Sequence, residues 1–291
     1  MLFRSPDDFL AHVLWTFRPY LGTLVLVGGF AVRLYEIHPR AVPATTRVLR
    51  TFDADFATPP TGIPVTGRSL ADLAEAAGFQ PDFHGDHIPP AMKFVPKNPS
   101  VEAVSAEQYS VEFLTSLTGP PADRRGRAIV TRDIQAGIIA QRLRYLDLLL
   151  EIPWSVSLAG LPEIPKEAQA LEVRLPHPGF FIVQKILISE EANRRDKRPK
   201  DMAYVYQVVS LFRRDLPKLA AEVRARMEAN PAWRRWLERF KSLSQILFSN
   251  PEAPGVTEAH TVLRAEMAGM GQDVPNPSMI QAGVRLFLMH F

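Results

Sequence analysis

Apolar and polar positions along this chain follow two different rhythms. Up to about residue 176 the apolar runs are short and broken by Gly, Pro and charged residues, whereas from residue 178 onward they recur at i, i+3 and i+4. Ser5-Pro6-Asp7-Asp8 is a start signal for a first helix reaching about Tyr20, with Phe9, Val13, Leu14, Phe17 and Tyr20 on its apolar face. Residues 24–27 predict a short buried strand, and after a glycine pair a second helix is expected around 31–38. Residues 47–57 predict a strand, and a Pro/Thr-rich bridge over 58–64 leads to Ser69-Leu70-Ala71-Asp72, which caps a short helix ending at Gly78. Further strands are expected at 91–95, 109–117, 146–152, 156–158 and 171–175, with a polar loop from Thr118 to Arg127. In the second half, Phe181, Ile182, Lys185, Ile186 and Ser189 share one helical face, as do Met202, Val205, Val208, Val209 and Phe212. Later helices are expected over 216–227, 233–248, 257–267 and 278–290, and no internal repeat is apparent.

Composition adds bounds. At 291 residues, 46% hydrophobic and 22% charged, the chain can bury a substantial core in one large or two modest domains. A formal charge of +3 permits a nucleic-acid partner without demanding one. The absence of cysteine excludes disulfides and thiol catalysis and fits a reducing compartment. The longest mostly apolar run, 21–32, is interrupted by Gly22, Gly28 and Gly29 and followed by Arg33, too short for a bilayer span. Asp7 and Asp8 sit where a signal peptide needs basic residues, so no membrane association and a cytoplasmic location are expected.

The chemistry concentrates between Val27 and Phe56. Gly28-Gly29 closes the apolar run, and a Gly-Gly turn into a helix presents bare backbone N–H groups to an anion. Asp53-Ala54-Asp55 follows; on a strand, carboxylates at i and i+2 point to one face. Two anions that close repel unless a cation lies between them, and oxygen-only ligation favours Mg²⁺ with a phosphate substrate.

Gly28-Gly29-Phe30-Ala31 followed by Arg50-Thr51-Phe52-Asp53-Ala54-Asp55-Phe56 resembles the signature of the DNA polymerase β-like nucleotidyltransferase superfamily, and within it the bacterial proteins related to AbiEii-type toxins. The basic residue here directly precedes Thr51, and Ala54 stands where a β-branched residue is more usual; neither departure removes a ligand. The resemblance implies an α+β fold, a mixed sheet flanked by helices over 1–176, followed by an α-helical domain over 177–291. It implies transfer of a nucleoside monophosphate from an NTP to a hydroxyl with release of pyrophosphate. Asp53 and Asp55 would hold Mg²⁺ with a third acidic residue from a neighbouring strand. Glu112, set among Val111, Phe113 and Leu114, is the best match and the candidate base, with Glu102 and Glu107 as rivals. Gly28 and Gly29 would seat the phosphates, Arg50 or Lys185 would clamp them, and Thr51 would add a hydroxyl.

A second constellation lies in the helical half. By the same resemblance Lys185 would meet a triphosphate oxygen, and Asp201 would orient it or support the metal shell. Their plain alternatives are a snorkelling lysine and an N-cap for the helix entering Met202. The basic segment from Arg194 to Lys200, with Arg213-Arg214, Arg234-Arg235, Arg239 and Lys241 and the interleaved Trp233 and Trp236, suits an RNA backbone or else solvated helix faces. His84-Gly85-Asp86-His87 has metal-like residue types but no third partner, so it is read as a loop. The expected partners are an NTP, an RNA acceptor such as a tRNA 3′ end, and a cognate antitoxin. The competing functions are a non-catalytic nucleotide- or RNA-binding module and a structural toxin–antitoxin component.

Overall fold

The computed structural model describes residues 3–44, 48–85, 89–97, 109–118, 122, 129–161, 164–191, 195–268 and 273–291. Arg47, Asp86, His87, Glu102, Glu107, Arg194 and most of the loop after Thr118 lie outside the described residues. Among the described residues no helix is long and apolar enough to cross a membrane. The chain forms two compact units, residues 1–31 with 50–176 and residues 32–49 with 177–291. The segment 32–49 packs with the helical unit.

In the first unit, α1 (Pro6–Thr16) begins as expected, with Ser5 Oγ accepting from the Asp8 N–H. It stops short of Tyr20 because Pro19 disfavours α geometry at the residue before it, and the chain continues as a 3₁₀ turn over Arg18–Tyr20. β1 (Val25–Val27) runs straight into α2 (Gly28–Tyr35), three residues earlier than the apolar pattern predicts. There follow β2 (Asp53–Thr58), α3 (Leu70–Ala76), β3 (Phe79–His84), β4 (Ala91–Pro96), β5 (Ser110–Ser116), β6 (Thr131–Gln135), β7 (Ile138–Leu143), α4 (Asp147–Leu150), β8 (Trp154–Ser157), α5 (Lys166–Gln169) and β9 (Glu172–Leu175). α3 carries the full capping box, with Ser69 and Asp72 each satisfying the other's backbone N–H.

The central sheet is mixed and seven-stranded, in the order β1-β2-β5-β4-β3, with β7 beside the far half of β5 and β6 beside β7. β2 and β5 run parallel, as do β5 and β7, and the other pairs are antiparallel. β8 and β9 pair only with each other, so the apolar runs at 156–158 and 171–175 make a separate ribbon rather than extending the main sheet. Residues 146–152, expected as a strand, instead hold α4, bounded by the left-handed residues Tyr145 (φ 61) and Ile152 (φ 40). A short apolar run carries no period of its own, so strand and helix cannot be told apart from it.

One face of the sheet is packed by α1 and the residues at its end. Phe56 and Phe113 stack with centroids 5.9 Å apart, and the Phe17 ring meets both edge-on at 6.0 and 5.6 Å. Because side chains alternate along a strand, burying Phe56, Phe113 and Phe94 sends Asp55, Glu112 and Lys93 to the opposite face.

The second unit contains α6 (Pro178–Ile188), α7 (Arg198–Leu211), α8 (Leu216–Ala229), α9 (Arg234–Phe248), α10 (Pro254–Met267) and α11 (Pro277–Leu288). Every residue of α6 is buried, which makes it the central helix of this unit. Segment 32–49 joins it through the Val42 N–H donating to Leu211 O, Arg40 paired with Asp215 at 2.7 Å, and Tyr35 set edge-on to Phe181 and Phe212.

The start of α6 contains a buried imidazole. His177 is the N-cap, its Nδ1 accepting from the Gly179 N–H at 3.2 Å, while Nε2–H donates to Glu222 at 2.9 Å. The cap therefore needs the neutral ring. Burial lowers the His177 pKa below 6.5 despite the opposing pull of Glu222, while Arg40 lowers it further. Since the folded value is depressed, this group's contribution is complete above pH 6.5 and is lost as pH falls below that value, where the unfolded chain binds the proton first. Thermal melts taken at and below pH 6.5 are expected to show a fall in Tm that is shallower in His177→Asn, which keeps a cap without a titratable ring. Equal slopes would assign the acid sensitivity elsewhere, His38 being the next group with a lowered pKa.

Candidate active site

The pairing registers line up one charged row across the first unit's sheet. Val27 of β1 faces Asp55 of β2, Asp55 faces Glu112 of β5, Glu112 faces Lys93 of β4, and Lys93 faces Asp82 of β3. Directly paired residues share a face, so Asp55, Glu112, Lys93 and Asp82 stand side by side on the side away from the phenylalanines. Asp53 stands one pleat from Asp55 on the same face, where Ser110 Oγ–H donates to its Oδ1 at 2.7 Å. The rise of β2 and the parallel pairing with β5 thus bring together the three carboxylates expected from the sequence.

The glycine pair closes this row at β1. Gly28 has φ +69, a left-handed conformation that lets the chain turn from β1 into α2 with no intervening loop. A Cβ on Gly28 would lie 2.5 Å from Asp55 Oδ2, so the backbone fits against that carboxylate only because the side chain is absent. The first N–H groups of a helix have no intrahelical partner, and α2 begins at this point. Thr51 is buried just before β2, while Arg50 is exposed at the surface.

Asp53, Asp55 and Glu112 offer only oxygen donors on this face. Like charges directly opposite each other in a sheet are unfavourable, and Asp55 and Glu112 are such a pair with Asp53 adjacent. Among the described residues no group of three or more His, Cys, Asp or Glu side chains is arranged so that it could itself hold a metal ion. Mg²⁺ is usually held by one or two carboxylates together with substrate phosphates, so a complete protein cage is not what this chemistry calls for.

The remaining expected residues belong to the helical unit. Lys185 Nζ donates to Asp201 Oδ1 at 2.6 Å, linking α6 to α7, with both side chains more than nine-tenths buried. The ammonium also lies 5.5 Å from the Phe181 ring centroid and 5.9 Å from that of Tyr204. Asp201 is not the N-cap of α7: the helix starts at Arg198, with Pro199 in its first turn, and Lys197 occupies the cap position. Asp201 instead accepts from the Lys185 ammonium across the two helices.

Three of the basic side chains are committed to ion pairs. Arg198 makes a bidentate pair with Glu258, Arg239 pairs with Glu190, and Lys241 pairs with Glu238. Trp233 is buried and stacks on Trp236 at 6.0 Å, next to Phe180, so it belongs to the core. Two site residues were not anticipated, Ser110 and Lys93. Lys93 is a lone charge in an apolar strand, the same signal that picked out Glu112 on the next strand.

A mixed sheet with acidic residues on neighbouring parallel strands, beside a Gly-Gly strand-to-helix junction, is the architecture of a nucleotidyltransferase. A family model described as nucleotidyltransferase matches residues 11–228, a span that includes both the carboxylate row and the Lys185–Asp201 pair. The chain belongs to this nucleotidyltransferase family. No curated protein and no solved structure matches the chain.

Proposed function

We propose that this protein transfers a nucleoside monophosphate from an NTP to a hydroxyl acceptor, in the manner of the AbiEii-related toxins. The observation that carries the reading is the register that sets Asp55 and Glu112 side by side, with Gly28 against Asp55. Asp53, Asp55 and Glu112 would hold Mg²⁺, which when bound neutralises charge on the phosphoryl oxygens and helps align attacking and leaving groups. Backbone N–H groups at Gly28 and Gly29 would bind the triphosphate, and Arg50 would add positive charge against it. Thr51 would contribute a hydroxyl hydrogen bond. Glu112 would accept the proton of the acceptor hydroxyl. The acceptor oxygen then bonds to the α-phosphorus, the bond from that phosphorus to the bridging oxygen breaks, and pyrophosphate leaves. Asp201 would orient Lys185 through their hydrogen bond.

An RNA acceptor such as a tRNA 3′ end, a cognate antitoxin partner and a cytoplasmic setting complete the proposal, the last supported by the cysteine-free sequence. The first test is equilibrium binding of each NTP with Mg²⁺ and with EDTA. Binding that needs the metal, and that weakens at least about tenfold without it, is expected. Failure to bind any NTP would favour a purely structural role for the fold.

A further inference from the structure

The row across the sheet has a direction. Gly28 closes it on the β1 side, Asp55 and Glu112 occupy the middle, and Lys93 follows one strand further along on β4. In-line displacement puts the attacking oxygen opposite the leaving pyrophosphate. With the triphosphate seated at the Gly28 end, the acceptor approaches over β5 and β4, where the row carries its one cation.

The two lysines of interest differ in kind. Lys185 is enclosed and tied to Asp201 at 2.6 Å. Lys93 meets Asp82 at 3.6 Å, beyond the length of a charge-assisted hydrogen bond, with 28% of its side chain and 47% of that of Asp82 exposed. An exposed pair of this length is weak and screened by salt, so an incoming anion can take the ammonium from Asp82 at little cost.

Building on the proposed transfer reaction, we infer that Lys93 is the acceptor-side cation of the site and binds an anion on the acceptor next to the reacting hydroxyl. The acceptor class that always carries such an anion is a polynucleotide, whose terminal hydroxyl is followed by a phosphodiester one nucleotide away. Lys93 is thus a specificity-determining residue: it selects hydroxyls that have a phosphate neighbour and holds them over Glu112. Asp82 competes for the same ammonium and tempers that selection.

The test uses the full chain and a 5′-labelled single-stranded oligoribonucleotide with a free 3′-hydroxyl, compared with the same oligonucleotide carrying a neutral methylphosphonate as its last linkage. The wild type is expected to bind the natural strand about tenfold more tightly than the modified one. Lys93→Met should lose that discrimination and flatten the salt dependence of binding by about 0.7 in log–log slope. Lys93→Arg should keep the discrimination, and Asp82→Asn should increase it. Discrimination that survives Lys93→Met, or a wild type that binds both strands alike, overturns the assignment while leaving NTP binding as a separate readout. A wild type with no Mg²⁺-dependent NTP binding overturns the underlying reaction and the role of Lys93 with it. If Lys93 only offsets the carboxylates of Glu112 and Asp82 on the neighbouring strands, Lys93→Met lowers Tm and leaves the strand preference unchanged.

Discussion

Asp55→Asn is expected to lower nucleotidyl transfer by about 10³-fold or more, a loss of about 4 kcal/mol of transition-state stabilisation, while leaving the fold intact. The substitution keeps the shape of a side chain that lies against Gly28 and removes the charge that faces Glu112 across the strand pair. Transfer at the wild-type rate would remove Asp55 from the site. A collapse in Tm would show that the carboxylate serves the fold instead.

The second large effect concerns the buried ion pair. Asp201→Leu leaves the Lys185 ammonium enclosed by Phe181 and Tyr204 without its carboxylate, and breaking a buried pair in this way costs about 3–5 kcal/mol. That is a large share of the total stability of an ordinary domain, about 5–15 kcal/mol. Lys185→Met should cost less, since Asp201 sits in the first turn of α7, where a negative charge interacts favourably with the helix N-terminus. The double variant Lys185→Met/Asp201→Leu should recover much of the loss, because an apolar pair of similar volume needs no desolvated charge. Urea titration of the three proteins measures this directly. Losses that simply add in the double variant would mean that the two residues are not coupled.

How far the fold could be read from sequence depended on whether each signal was local. The Ser5 cap of α1 and the Ser69–Asp72 box of α3 are contacts within one turn, and both formed as their spacing predicts. The helices after residue 178 were legible because a stripe repeated over several turns has only one period that fits. β3 was missed because Pro81 argues against a strand; it is tolerated because β3 lies at the edge of the sheet. The β6–β7 hairpin was missed because Arg132 and Asp133 blur the alternation, although its turn at Ala136-Gly137 has a glycine at φ +79. In the site, Asp53 and Asp55 were visible because strand geometry fixes their common face within three residues. Their meeting with Glu112, and Lys93 beyond it, depends on a strand order that sequence spacing does not encode.

The most direct test of the account incubates the protein with Mg²⁺, total RNA and each NTP in turn, labelled once at the α-phosphate and once at the γ-phosphate. The account predicts that α-label enters the RNA, that γ-label appears only in pyrophosphate, and that both signals vanish in Asp55→Asn. Metal-dependent NTP binding with no α-label transferred to any acceptor would contradict it and identify the protein as a binding module that retains the fold without the reaction.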